Sequence, residues 1–138
     1  MAHNVQSVVP FFSVSNMPRS IAFYESLGFT LRNTWVVDNQ IRWCWLDLGG
    51  ASLMLQHFHT NPFPEKPGAG ISLNFQCTDA IALYHQFRER NLTPTEPQVG
   101  NNLWVTHLTD PDGYELHFAS PTTVPEDTKL SELPSSIT

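Results

Sequence analysis

The chain has 138 residues, a hydrophobic content of 41% and a net charge of −6. This composition allows a folded core and excludes a wholly disordered chain. The acidic balance argues against nucleic acid as a partner, because phosphate binding needs clustered lysine and arginine. No apolar run approaches the roughly 18 residues of a membrane span, and the two cysteines, Cys44 and Cys77, form no C-x-x-C motif. We therefore expect a soluble, cytoplasmic protein with no nucleic-acid or membrane partner.

The first half of the chain predicts a strand, a helix and three further strands. The segment from Val8 to Val14 is strand-like. Asn16 can cap a helix that has Pro18 in its first turn, where a missing N–H does no harm. Gly28 can end that helix in a left-handed conformation. Three strands are then expected at about residues 29–37, 41–48 and 51–56.

A linker and a second half of similar pattern follow. Residues 60–70 contain three prolines and two glycines, which do not fit inside a helix or a central strand. Beyond the linker, residues 71–77 predict a strand, and Asp79 can cap a helix that runs to about Arg90. Further strands are expected at about residues 103–109 and 114–118.

The two halves align with each other at nearly constant spacing. The stretches at 21–24 and 81–84 are 60 residues apart, Trp43 and Trp104 are 61 apart, and Met54 and His117 are 63 apart. Three matches at nearly one offset indicate a duplicated unit.

Two segments carry a family resemblance. Asp110-Pro111-Asp112-Gly113 reads as a turn that opens onto the strand Tyr114–Phe118, and both aspartates are interpreted as structural. The helix at residues 20–27 ends at Gly28 and leads into a strand. In this order and spacing, the pair resembles the vicinal oxygen chelate superfamily, which includes glyoxalase I, extradiol dioxygenases and bleomycin resistance proteins. The resemblance covers most of residues 8–120, and the stretch 9–14 is most similar to the bleomycin resistance type.

The resemblance implies an α+β fold made of two βαβββ modules. Their mixed sheets would curl around a cleft, with the helices outside. Residues 1–120 would form this single domain, with module 1 at about 5–59, the linker at 60–70 and module 2 at about 71–120. Residues 121–138 are polar and rich in proline, serine and threonine. We expect them to form a loose tail rather than an ordered arm across a dimer.

Strand alternation predicts which side chains face the cleft. On the strand at 71–77, apolar residues alternate with Ser72, Asn74 and Gln76, so the polar set is expected in the cleft. Glu115 and His117 are expected there from the last strand, and tryptophans of two other strands join them by the same rule. The predicted ligand-binding residues are Trp43, Trp45, Asn74, Gln76, Trp104, Glu115 and His117.

The resemblance also raises the question of a metal. Metal-dependent members place a His, Glu or Gln ligand on the first and last strands of each module. Only one of the four corresponding positions, His117, carries a good ligand here; the four are Val9, Met54, Ser72 and His117. His57 and His107 have core-facing parity, so they are not expected to join it. We expect no metal or other cofactor, since catalytic sites need about three protein ligands. The alternative is one divalent ion held by His117 and Glu115.

These features favour a binding protein over an enzyme. The resemblance implies a homodimer that sequesters a small aromatic or cationic ligand, such as an antibiotic, without a metal. Tryptophans on the cleft face suit such a ligand through stacking and cation–π contact. The alternative is a metal-dependent glyoxalase-like lyase or isomerase, or a dioxygenase, with Glu115 as base or ligand. A third interpretation is an interaction or regulatory module built on the same fold.

Overall fold

The computed structural model describes residues 4–57 and 67–134. The chain divides into two compact units, Met1–Pro67 and Gly68–Thr138. Their boundary falls inside the segment 60–70 that the sequence predicts as a linker. Within the described residues, no helix is long and apolar enough to cross a membrane.

The first unit is a four-stranded mixed sheet with one helix. The strand order is β1-β4-β3-β2, with β1 parallel to β4 and the other pairs antiparallel. The elements are β1 (Phe11–Ser13), α1 (Met17–Ser26), β2 (Thr30–Val37), β3 (Gln40–Leu48) and β4 (Ala51–Gln56).

Local chemistry explains where these elements begin and end. The Asn16 side chain accepts a hydrogen bond from the Arg19 backbone N–H at 3.0 Å, which caps α1. Gly28 follows the helix with φ +109°, a conformation that glycine adopts without steric cost. Between β2 and β3, Asp38 and Asn39 both have positive φ, as a two-residue hairpin turn that matches strand twist requires.

The second unit repeats this arrangement. Its strand order is β5-β8-β7-β6, again with one parallel pair, β5 with β8. Asn101 and Asn102, with φ of +53° and +64°, form the two-residue turn between β6 (Gln98–Gly100) and β7 (Leu103–Thr109). The elements are β5 (Ser72–Gln76), α2 (Ala80–Glu89), β6 (Gln98–Gly100), β7 (Leu103–Thr109) and β8 (Glu115–Pro121). The predicted α+β class and the two βαβββ modules are confirmed.

In each unit the helix covers one face of the sheet. Cys44 of β3 lies 3.9 Å from the Met17 sulfur of α1. In the second unit the ring of Phe87 in α2 contacts Phe118 of β8 at 4.9 Å, and Phe118 stacks on Phe75 of β5 at 4.8 Å. These contacts define a helix-covered face, on which alternate residues are buried. The opposite face of each sheet is called the open face below.

The segment after β8 differs from the loose tail expected. It runs back along β6, where the Val99 N–H donates to the Thr128 carbonyl at 2.9 Å and Leu130 N–H donates to the Pro97 carbonyl at 2.9 Å. Leu130 is 8% exposed and packs with Val99 and Trp104 in the core of the second unit. Val124 and Leu133 of the same segment also pack against this core. The polar composition of the segment conceals these apolar contacts, and a short 3-10 helix spans Leu130–Glu132. Residues 135–138 lie outside the described part of the chain.

Candidate functional site

The turn before β8 sets the position of that strand. Asp110 is buried, and its carboxylate accepts hydrogen bonds from the backbone N–H groups of Asp112 at 2.8 Å and Tyr114 at 2.9 Å. Gly113 supplies the positive φ of +91° that closes the turn. Asp110 is therefore structural, as predicted. The turn delivers β8 in the register that places Glu115 and His117 on the open face.

Three tryptophans share the open face of the first unit. Trp43 and Trp45 alternate with Cys44 and Leu46, which are fully buried on the helix-covered face. Trp35 of β2 is the direct cross-strand partner of Trp43, so its side chain lies on the same face. Trp43 and Trp45 thus lie where alternation predicts, and their contact with a ligand stays a prediction. The sequence analysis missed Trp35, which is 53% exposed.

A carboxylate fixes one of these tryptophans. The Trp45 indole N–H donates to Asp47 Oδ1 at 2.8 Å, and the Ser52 hydroxyl donates to the same oxygen at 2.7 Å. Arg32 Nε lies 3.4 Å from the other carboxylate oxygen. The hydrogen bonds from Ser52 and Trp45 lower the pKa of the Asp47 carboxyl. Asp47 is thus held as a carboxylate that orients an indole ring. The sequence could have indicated this contact, because Trp45 and Asp47 are two residues apart on one predicted strand and so share a face.

The predicted orientation of Trp104 is wrong. Trp104 is 6% exposed and belongs to the core cluster that contains Ala80, Val99 and Leu130, with Tyr84 of α2 packed against it. It lies on the helix-covered face of β7, together with Thr106 and Leu108. Its burial removes it from the set of candidate ligand contacts.

The same error placed His107 on the wrong face. His107 and His117 are direct cross-strand partners, so both side chains lie on the open face of the second unit. Their rings stack at 4.1 Å with an interplanar angle of 4°. Glu115 precedes His117 by two residues, and its Oε2 lies 4.0 Å from His117 Nε2. Ligand atoms of these three side chains all lie within 4.8 Å of one another.

The remaining predicted site residues lie on β5. Asn74 is in register with His117, and Ser72 is in register with Glu115. Asn74 and Gln76 are exposed, whereas Leu73 and Phe75 between them are partly buried. Both amides therefore lie on the predicted face of their strand, beside the Glu115 and His117 side of β8. Their contact with a ligand stays a prediction.

Burial shapes the electrostatics of the histidine pair. Desolvation of the His107 ring lowers its pKa, the neighbouring His117 lowers it further, and Glu115 acts in the opposite direction. His107 is therefore neutral over a wider pH range than a free imidazole. A neutral ring keeps a lone pair for hydrogen bonding or metal coordination.

Comparison with known proteins identifies the family. Residues 5–118 match the model of the Glyoxalase/Bleomycin resistance protein/Dioxygenase superfamily. The chain belongs to this superfamily. No curated protein matches it.

Solved structures with the superfamily fold include antibiotic-binding proteins. A bleomycin-binding protein crystallised with bleomycin is 19% identical, with a TM-score of 0.68, over 84% of this chain and 98% of that one. A bleomycin resistance determinant encoded on the transposon Tn5 is 19% identical, with a TM-score of 0.69, over 85% and 98%. TnmS3, an antibiotic-binding protein from Streptomyces sp. CB03234, is 25% identical, with a TM-score of 0.66, over 87% and 100%.

The superfamily's metal positions do not fit this chain. The corresponding residues are Val9, Met54, Ser72 and His117, of which a valine cannot ligate and a serine hydroxyl or thioether is a poor ligand for a zinc-class ion. The His57 ring, which was not expected to join this set, has Nδ1 2.7 Å from the Val14 carbonyl oxygen. One good ligand falls short of the roughly three protein ligands that a catalytic metal site needs.

Proposed function

We propose that this protein binds a small aromatic or cationic molecule, such as an antibiotic, and sequesters it without transforming it. The observation that carries the proposal is the alignment of Trp35, Trp43 and Trp45 on the open face of one sheet. Trp35 is 53% exposed, and Trp43 and Trp45 are half-buried, so aromatic surface on this face is accessible to a ligand. Sequestration of this kind would confer resistance to a toxic ligand.

The chemistry of this face suits such a ligand. Indole rings stack on planar molecules and attract cations through their faces. The hydrogen bond to Asp47 holds the Trp45 ring in one orientation, so less conformational entropy is lost on binding. The net charge of −6 also favours the approach of a cation.

Similar proteins support the class of ligand. The neighbours crystallised as bleomycin-binding and antibiotic-binding proteins have this fold, and TnmS3 reaches 25% identity. On the second unit, Asn74 and Gln76 are proposed as polar contacts. Binding is proposed to need no metal, since the superfamily's four positions supply one good ligand, His117.

A homodimer in the cytoplasm is proposed as the working form. Val5 and Val8 are 82% and 91% exposed, and Phe11, which begins edge strand β1, is 43% exposed. A sheet edge next to apolar side chains is a typical surface for association with a second copy. Light scattering during size-exclusion chromatography should give twice the chain mass of 15.6 kDa.

Titration of the full chain with metal-free bleomycin and with planar aromatic cations tests the proposal. Binding is followed by calorimetry and tryptophan emission, in EDTA. Loss of one stacking or cation–π partner is worth about 0.5–2 kcal/mol, so Trp43→Ala and Trp45→Ala should each weaken binding by about 2- to 30-fold. Trp104→Phe is the control, because it removes a core indole and should leave the affinity unchanged. Equal effects at all three positions, or no binding by any probe, would contradict the proposal.

The second candidate is a metal-dependent lyase or dioxygenase. The specific observation that favours it is the group formed by His107, Glu115 and His117, which offers more ligands than the sequence predicted. Ligand binding that is lost in EDTA and restored by a divalent ion would favour this candidate. Turnover of a hemithioacetal or a catechol by the metal-loaded protein would establish it.

A further inference from the structure

We propose that His107, Glu115 and His117 bind one divalent transition-metal ion of the zinc, nickel and copper class. The site lies on the open face of the second unit. It does not rest on the ligand binding proposed above, and it differs from the superfamily's metal positions, with which it shares only His117.

The backbone brings the two histidines as close as a sheet allows. The His107 N–H donates to Thr95 Oγ1, and the His107 carbonyl accepts from the Thr95 N–H, both at 2.9 Å. The polar backbone groups of His107 therefore point away from β8. His107 and His117 accordingly form a non-hydrogen-bonded antiparallel pair, the kind in which facing side chains approach most closely.

The distances suit a shared ion after a small rotation of the side chains. Nitrogen and carboxylate ligands bind zinc at about 2.0–2.2 Å, so two of them on one ion lie about 3–4 Å apart. The ligand atoms of the three residues already lie within 4.8 Å of one another. Binding of one ion would therefore draw these atoms together by about 1–2 Å through rotation of the side chains.

The donor set selects the class of ion. Two imidazoles and a carboxylate suit zinc, nickel and copper, whereas magnesium and calcium prefer oxygen ligands alone. The His117 side chain is 27% exposed and that of Glu115 is 47% exposed, so an ion and its water ligands can enter from solvent. Three protein ligands leave one or more coordination positions for water or a small anion.

The frame of the site is held in place before any ion binds. Thr95 bonds both backbone groups of His107, and Thr106 donates its hydroxyl to the Thr95 carbonyl at 2.6 Å. On the next strand, the Asp110 carboxylate holds the turn that starts β8. Ligands on two braced strands lose little backbone freedom on binding, which favours affinity.

Calorimetric titration of the full chain with zinc chloride alone, after EDTA treatment and dialysis, tests the site. We expect one equivalent bound by the wild type. His107→Gln and His117→Gln should each weaken binding by about tenfold or more, and Glu115→Gln should weaken it less. His85→Gln, on the exposed face of α2, is the matched control and should bind zinc as the wild type does.

Two further measurements distinguish the loss of a metal ligand from the misfolding of a variant. Thermal unfolding of each variant without metal checks that it folds. In the wild type, NMR titration with zinc should shift the imidazole signals of His107 and His117 together and leave those of His85 in place. Zinc binding that survives either His107→Gln or His117→Gln, or signals of these two rings that do not move, overturns the proposal.

Discussion

The two units have the same topology and carry different chemistry on their open faces. In the first unit, Trp45 is the cross-strand partner of Met54. At the corresponding place in the second unit, His107 is the partner of His117. An aromatic and thioether pair in one copy therefore corresponds to an imidazole pair in the other. The same scaffold thus presents an apolar pair on one open face and a polar pair on the other.

The open faces of the two sheets differ in polarity, whereas the helix-covered faces share buried leucines. Leu46, Leu53 and Leu55 are buried on the helix-covered face of the first unit, and Leu108 and Leu116 on that of the second, beside Trp104 and Thr106. Packing against the helix favours apolar residues there, and the buried Thr106 hydroxyl is satisfied by the Thr95 carbonyl. The open faces have no such constraint, so their residues can change without loss of the fold. The residues of the open faces, rather than the fold itself, therefore bear on function.

The largest expected effect tests the assignment of the tryptophans to the two faces. Trp104→Ala should lower the free energy of unfolding by about 3–5 kcal/mol, because it empties a space in the core of the second unit. Trp35 is 53% exposed, and Trp35→Ala should cost less than about 1 kcal/mol. Urea denaturation followed by far-UV circular dichroism measures both. Equal losses at the two positions would show that the strand orientation is wrong.

A smaller loss of stability is expected from the segment after β8, which packs on the second unit. Leu130, from the segment after β8, packs against Val99 and Trp104. Leu130→Ala should lower the free energy of unfolding by about 2–3 kcal/mol, as the truncation of a buried leucine does. Ile71, which is 42% exposed, provides the control, and Ile71→Ala should cost less than about 1 kcal/mol. A negligible effect of Leu130→Ala would mean that the segment is as loose as its composition suggests.

The helices and most strands could be predicted from local signals. Asn16 and Asp79 cap the two helices as expected, with hydrogen bonds of 3.0 and 2.9 Å to backbone N–H groups three residues on. These signals depend on neighbours in the chain, which a sequence displays directly. The Asp-Pro-Asp-Gly turn was predictable for the same reason.

The orientation of β7 could not be predicted in this way. Apolar residues occupy both of its faces, because Val105 alternates with Trp104 and Thr106. Alignment of Trp104 with Trp43, 61 residues earlier, then suggested that Trp104 faces the cleft. The pairing of β7 with β8 shows instead that Trp45 corresponds to His107, 62 residues on. A slip of one residue reverses every side chain of a strand, and it exchanged Trp104 for His107 in the predicted site.

Trp35 was missed for a related reason. Its strand β2 contains irregularities in register between Leu31 and Asn33 and between Trp35 and Val36. Such bulges interrupt the two-residue alternation on which the face assignment depends. Only the pairing of Trp35 with Trp43 shows which face it occupies.

The smallest predicted effect concerns the carboxylate that orients Trp45. The folded pKa of Asp47 is lowered chiefly by the hydrogen bond from Ser52, then by that from Trp45. A carboxyl group whose pKa is lower in the folded than in the unfolded state stabilises the fold at pH values above the unfolded pKa. This stabilisation is lost as the pH falls through the folded pKa. The indole N–H signal of Trp45 should therefore shift, in NMR spectra recorded against pH, with a midpoint below the ordinary aspartate value of 3.8.

Removal of the Ser52 hydroxyl tests the cause of the lowered Asp47 pKa, because its hydrogen bond lowers that pKa most. Ser52→Ala should raise the midpoint of the Trp45 signal toward 3.8, because the carboxylate loses its strongest donor. Ser13→Ala is the control, since the Ser13 hydroxyl on the same face accepts from Gln56 at 3.3 Å and is not a donor to Asp47. A midpoint that is the same in the wild type and in Ser52→Ala would mean that Ser52 does not hold Asp47. Of Ser52, Trp45 and Arg32, the last two would then be the ones that hold the Asp47 carboxylate.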